Sequence, residues 1–567
     1  MSSGVERGSS FTASLLKESR GSMILPTAIV AVLGILVLAS RRLGGVDENE
    51  PPLMTSRIPF CGHLLDTTPR NASQSLSEYS SKFPSYPAFT LRIFSSRIYV
   101  ICDPSLVQAA YRNTKTFDFG SFIVESSQRA FNIGEQGMKI MRGETSPDFD
   151  PSGPYLNGNT GDSFLNEHHR IMVELLAPGL GLSEMNRGVL ERVAASLNAV
   201  SREGETGGLY RWIRDVLTLA TADVLYGPQS PVNNDHSLID NLWDFEDKMT
   251  LLMLNFLPTI IAPKAYQGRI RIKSAFKSYY ANNHQLTASR LTQAHLACCQ
   301  KWGFTPDDIA NFEISTLFLA TTNSVPTSFW HLCNIVSSPA LLEEIRSEVE
   351  SIVTRQASED DGKEEAVMDV TRFQTHCPLL VSTFHETLRL IDAATSVRAV
   401  TAPTTLSSPG SSISYSLKSP AVVQLPSGIC HTNPAIWGPE PTMFNPRRFL
   451  PATKASLDKE TRQAQKQGYF PFGGGKHYCP GRHLAMMEIL SLVAGLVVGF
   501  SVESLSGDTF RVPDLAFQKL GTAVRKPVRD VDVRLRRREG WDNVRWRFGS
   551  IKEGTIDFKA MTREAEE

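Results

Sequence analysis

Phe472-Gly-Gly-Gly-Lys-His-Tyr-Cys479-Pro-Gly481 is the stretch from which the rest of this chain is read. Its three glycines permit a turn tight enough to bring backbone close to a bound group. Cys479 follows that turn, and Pro480 pre-sets the first turn of a helix whose apolar positions run through Leu484, Met487, Leu492 and Leu496. A helix start favours negative charge on sulfur and offers it amide donors, so Cys479 reads as a thiolate ligand to haem iron. A buried cysteine after a glycine-rich turn is the plainer alternative. A phosphate-binding loop at Gly475-Lys476 is excluded, because His477 stands where a Ser or Thr should follow the lysine.

Upstream, Glu386-Thr-Leu-Arg389 places a carboxylate and a guanidinium on one helical face. Leu379, Leu380, Phe384, Leu388 and Leu390 surround the pair and imply burial, so it needs a further hydrogen-bonding partner. Pro446-Arg447-Arg448-Phe449 offers one in Arg448. Further upstream, Thr305-Pro306-Asp307-Asp308 sets a hydroxyl cap, a proline at the first helical position and acids in the first turn. The helix predicted from there runs about 30 residues to Val336, some 45 Å. In its middle, Ala320-Thr-Thr-Asn323-Ser324-Val-Pro326 combines small polar residues with a proline that bends a helix and frees a carbonyl.

Taken together, F-x-x-G-x-x-x-C-x-G at 472–481, E-x-x-R at 386–389 and P-x-R-F at 446–449 resemble the motifs of the cytochrome P450 family over roughly residues 51–537. The resemblance implies the P450 fold, mainly α with small β-sheets (α+β), and haem b. Cys479 would be the axial ligand of the haem iron, with Phe472, Gly475 and Gly481 shaping its loop. Glu386, Arg389 and Arg448 would interlock beneath the haem, and Arg398 would pair with a propionate. His477 stands where the family usually has a propionate-binding arginine, and a histidine titrates near neutrality. His168-His169-Arg170 stands where the family has W-x-x-x-R. No tryptophan is near, which leaves His169 and Arg170 as further propionate candidates or as a solvated basic face. Asn323 and Ser324 align with the family's acid and threonine on the oxygen side. Asn323 cannot ionise, so a proton would pass through Ser324 and water. The Asn with a proline three residues on is similar to the group containing cholesterol 7α-hydroxylase and prostacyclin synthase, and the whole chain is similar to fungal microsomal relatives of that group.

The 567 residues carry 58 basic and 59 acidic side chains, so the net charge of -1 gives no nucleic-acid surface. The eight cysteines show no paired spacing of a zinc site or disulfide framework and suit a reducing compartment. Met23 to Ala39 is an uncharged apolar run followed by Arg41 and Arg42, at the short end of what spans a bilayer. A cleaved signal peptide is the rival reading, against which stand its late start and the lack of a clear small-x-small cleavage site. The layout read from these features is an N-terminal tail (1–22), a transmembrane helix (23–40), a proline-rich linker (41–58), a catalytic domain (59–537) and a polar tail (538–567). Ala88 to Ile101 alternates like a hairpin. The endoplasmic reticulum membrane is the expected location, with the catalytic domain in the cytosol. A glycan on the sequon Asn71-Ala-Ser73 would contradict that orientation.

Three functions follow. The first is a monooxygenase using O2 and electrons from NADPH-cytochrome P450 reductase on a lipophilic substrate drawn from membrane lipid, such as a terpenoid, a steroid or another fungal secondary metabolite. The second is a haem-thiolate isomerase or dehydratase that needs no reductase. The third is a non-catalytic haem- or sterol-binding protein. Residues 117–135, Thr316, Ala320 and Val397 are the expected pocket walls.

Overall fold

The computed structural model describes residues 47–54, 86–93, 96–145, 149, 163–357, 364–408, 413–517 and 522–549. The expected membrane helix, the N-terminal tail, most of the linker and Asn71 lie outside them.

Alternating apolar residues build the expected hairpin. Strand β1 (Ala88–Ile93) pairs antiparallel with β2 (Ser96–Ile101), setting Phe89 opposite Val100 and Leu91 opposite Ile98. Three further strands, β3 (Phe117–Asp118), β4 (Thr395–Val400) and β5 (Ala421–Pro426), complete a sheet in the order β1-β2-β5-β4-β3. β5 runs parallel to β2 and antiparallel to β4, so the sheet fixes the strand that carries Arg398.

The rest is mainly helical. The helices that matter for the site are α1 (Pro104–Arg112), α2 (Phe164–Leu176), α3 (Leu209–Tyr226), α4 (Arg290–Trp302), α5 (Pro306–Thr321), α6 (Ser324–Val336), α7 (Pro378–Ile391) and α8 (Arg482–Gly499). Among the described residues α8 alone is long and apolar enough to cross a membrane, but it is a core helix: Met487, Leu490, Leu492 and Val493 are fully buried, and α6 packs against it.

The start of α5 is the one the sequence predicts, with Thr305 Oγ1 accepting the Asp308 N–H at 3.1 Å and Pro306 at the first position. The single long helix expected through Val336 is instead two, α5 and α6, parted at Thr322 and Asn323. The cause is local. Thr321 and Thr322 hydroxyls bond back to the carbonyls of Leu317 and Phe318 at 2.8 Å, Thr327 bonds the Asn323 carbonyl at 2.7 Å, and Pro326 has no N–H to give Thr322.

Residues 538–549, assigned above to the polar tail, belong to the folded body. Arg545–Phe548 pairs in parallel with Glu364–Met368, and Trp541 stacks on Trp546 with ring centroids 4.9 Å apart. Strand alternation turns Trp546 and Phe548 inward and Arg545 and Arg547 outward, so a charge-rich segment still contributes apolar surface.

Candidate active site

The glycine turn takes its shape from α1. Gly473 and Gly475 have φ of +76° and +64°, and a Cβ on Gly475 would stand 2.3 Å from the Tyr111 carbonyl oxygen. Only glycine fits both the conformation and the approach. The Gly473 N–H donates to the Phe470 carbonyl and the Cys479 N–H to the Phe472 carbonyl, each at 3.0 Å, which closes the loop. The backbone N–H groups of Gly481 and Arg482 are hydrogen-bonded to the Cys479 sulfur. Burial raises the thiol pKa, while these two amides and the Arg482 charge lower it. α8 begins at Arg482, so Pro480 lies in the preceding turn rather than inside the helix.

At the break between α5 and α6, Thr316, Leu319, Ala320 and Asn323 are partly or well exposed on otherwise buried helices, and their spacing puts them on one face. Leu319 is 66% exposed. Thr316, Ala320 and Asn323 were expected on this face. Leu319 was not, although helical periodicity alone places it between them. Ser324 lies off this face. It is buried and bonds the Glu488 carboxyl of α8, which also accepts the Thr221 hydroxyl of α3 at 3.2 Å. Adjacent helical residues point about 100° apart, so Asn323 takes the open face and Ser324 the core. Glu488 lies six residues beyond the start of α8, about 9 Å along the axis. One buried carboxyl therefore ties the thiolate loop's helix to the helix break.

Arg398 and His477 converge on Phe119, with His169 beside His477. Arg398 is buried and in no ion pair among the described residues; it donates to Ser396 Oγ and the Val397 carbonyl at 2.8 Å and lies 4.3 Å over the Phe119 ring. The His477 ring sits 5.0 Å from Phe119 and 5.2 Å from His169, whose Nε2 is 3.0 Å from the Lys476 carbonyl. Burial, then the Arg398 charge, pushes the His477 pKa down to about 3. Arg170 faces solvent with Glu174 at 3.1 Å and takes no part. Val397 shares β4 with Arg398.

Beneath the loop, Glu386 and Arg389 of α7 form two parallel bonds of 2.8 Å. Arg448 Nε lies 3.0 and 3.1 Å from the same two oxygens, and the Asn445 N–H adds a bond of 3.0 Å. Two guanidiniums share one carboxylate, an arrangement that burial would penalise without further acceptors. They are supplied: Arg389 donates to the carbonyls of His431 and Pro441, Arg448 donates to that of Trp437, and both cations lie over the Trp437 ring. Phe472 is partly buried against the main core.

A second buried carboxyl escaped the sequence reading. Glu313 of α5 accepts the hydroxyls of Tyr226, at 2.9 Å, and Tyr280, and lies 3.4 Å from His295 of α4, which in turn meets His168 at 2.9 Å. Burial pushes Glu313 and Glu488 up to about 7 and His295 down to about 4, so between those values Glu313 and His295 meet as neutral partners. The unfolded chain releases these carboxyl protons near 4.5, whereas the native state holds them to about 7. The contribution of these two carboxyls to stability therefore falls as pH rises through that window, by up to about 3 kcal/mol each, while buried histidines such as His295 titrate in the opposite sense. The difference in thermal midpoint between wild type and Glu313→Gln, in which the histidines largely cancel, is expected to shift against the wild type between about pH 5 and 7.5, read by circular dichroism.

A cysteine just ahead of a helix start, with two backbone amides directed at its sulfur in a mainly helical body, is what a thiolate ligand would need. The family model for cytochrome P450 matches residues 165–527. A cytochrome P450 monooxygenase of Gibberella zeae is 29% identical over 551 residues, covering 95% of this chain and 99% of its own. The cytochrome P450 monooxygenase nodJ of Hypoxylon pulicicidum is 27% identical over 531 residues, covering 93% and 97%. Cholesterol 7-alpha-monooxygenase of Cricetulus griseus is 23% identical over 539 residues, covering 91% and 98%. The chain belongs to the cytochrome P450 family and is an oxidoreductase of the monooxygenase type, which implies haem. The residues fit that group: a sulfur with amide donors, a buried guanidinium in no ion pair among the described residues, and an exposed apolar side chain at the helix break.

Proposed function

We propose that the chain is a membrane-anchored monooxygenase that binds haem b through Cys479 and oxidises a lipophilic small molecule, a terpenoid, a steroid or another fungal secondary metabolite. The observation that carries this reading is the Cys479 loop, whose two amides offset part of the burial that otherwise favours the neutral thiol. Haem so ligated supplies cleavage of the O–O bond. Arg398 and His477 would hold the propionates, with His169 beside them. Thr316, Leu319 and Ala320 would present the substrate with an apolar wall carrying one hydroxyl, while Asn323 offers an amide that orients but does not ionise. Ser324 stands one hydrogen bond from Glu488, an acid that titrates near neutrality and so supplies a proton behind the helix break.

Electrons would come from NADPH-cytochrome P450 reductase. A cavity of about 640 Å³ beside the loop is rimmed by Arg112, Lys466, Lys476 and Arg482, which suits an acidic partner. The endoplasmic reticulum membrane with a cytosolic catalytic domain agrees with the apolar run at 23–39. It agrees also with Leu254, Phe256, Leu257 and Ile260, which are 51–70% exposed within seven residues and suit contact with lipid. A reductase-independent isomerase is the second reading, favoured by Asn323 where an acid would serve oxygen chemistry.

Microsomes carrying the protein and a reductase, given isotopically labelled dioxygen and a panel of sterols and terpenoids, separate the two. Labelled product that requires NADPH is the expected result. Unlabelled product formed without NADPH would replace this reading with the isomerase.

A further inference from the structure

His431 joins three parts of the molecule that the motifs treat separately. Its Nε2 accepts the Phe470 N–H at 3.1 Å, and its ring lies 5.4 Å from that of Phe470. Its backbone carbonyl accepts from Arg389 of the ion-pair cluster. Its Nδ1 is 3.5 Å from Asp392 Oδ2, close enough for an electrostatic contact but outside hydrogen-bond geometry, and neither atom has a hydrogen-bond partner. His431 is fully buried and Asp392 nearly so.

These contacts fix the imidazole's tautomer. Nε2 accepts, so the ring proton is on Nδ1, the ring nitrogen nearest the Asp392 carboxyl. Phe470 is also the hinge of the thiolate loop: its carbonyl takes the Gly473 N–H, and the next turn closes when the Phe472 carbonyl takes the Cys479 N–H. The amide that His431 holds thus belongs to the residue whose carbonyl starts the glycine turn.

We propose that the Asp392–His431 pair is a positioning device for the thiolate, setting where the Phe470–Gly473 turn starts and thereby where the Cys479 sulfur stands. The inference rests on the reading of Cys479 as haem ligand. His431 does not touch the reacting atoms and acts through the Phe470 amide. Without its acceptor that buried N–H is unsatisfied, and the loop opens more often.

Two substitutions of similar size separate positioning from mere packing. His431→Gln can place its amide oxygen where Nε2 stands, whereas His431→Asn reaches only the position of Nδ1. In the full-length haem-loaded protein, His431→Asn is expected to speed hydrogen exchange of the peptide spanning 470–479 roughly ten- to a hundredfold. A larger share of its reduced carbon-monoxide complex should carry a thiol in place of a thiolate. His431→Gln should restore both to within about threefold. Equal behaviour of the two variants, or wild-type exchange and ligation in both, would overturn the proposal. If neither folds, Asp392→Leu tests it, because it removes the carboxyl beside Nδ1. Faster exchange over 470–479 supports the device, and unchanged exchange and ligation refute it. Failure of the underlying reading shows differently, as wild-type protein whose haem carries no thiolate.

Discussion

Cys479→Ser is expected to lower NADPH-dependent turnover more than about 100-fold, beyond the 10–100-fold range of a change outside the ligand shell. The serine hydroxyl stays protonated at neutral pH and is a weaker, harder donor than a thiolate. The amides of Gly481 and Arg482, which stabilise negative charge on sulfur, would face a neutral oxygen. The fold should survive. The loop is closed by backbone bonds that make no use of the sulfur, from Gly473 to Phe470 and from Cys479 to Phe472. Product formation in the reconstituted system, with circular dichroism as the check on folding, tests the point. A serine variant with a tenth or more of wild-type turnover would contradict it.

Glu386→Gln should have the largest effect on stability. The carboxylate accepts from Arg389, Arg448 and Asn445 at a fully buried position. Removing its charge leaves two buried guanidiniums without a counter-ion, a change that costs about 3–5 kcal/mol when a buried pair is broken from one side. Domains are held by only about 5–15 kcal/mol, so soluble haem-loaded protein should fall steeply. Arg447 provides the contrast. Next to Arg448 in sequence, it is half-exposed and pairs with Glu344 on the surface, so Arg447→Gln should stay within about 1 kcal/mol of wild type. Thermal midpoints and soluble yields of the two variants, measured side by side, check the difference.

The sequence was most readable where a few adjacent residues set the geometry. The turn at 472–481, the cap at Thr305 and the pairing of Glu386 with Arg389 are each contained within ten residues, and the hairpin at 88–101 follows from alternation alone. Side-chain direction was harder. Asn323 and Ser324 are neighbours at a helix break, and only the position of α8 determines that Ser324 meets Glu488 while Asn323 faces outward. Glu488 itself reads in sequence as a stray acid in an apolar run, and its partners lie on two other helices. The surroundings of His477 were not legible, because Phe119, Arg398 and His169, distant in sequence, strip it of water and set a cation beside it. The tail at 538–549 was lost to its charge, which hid an alternating pair of inward aromatics.

The central claim is that the Cys479 sulfur binds the iron. Iron-edge X-ray absorption on the purified haem-loaded protein tests it most directly. The expected result is one sulfur neighbour that persists when each of the other cysteines is replaced by serine and disappears in Cys479→Ser. A first shell of nitrogen and oxygen only, or a sulfur that survives in Cys479→Ser, would contradict the account.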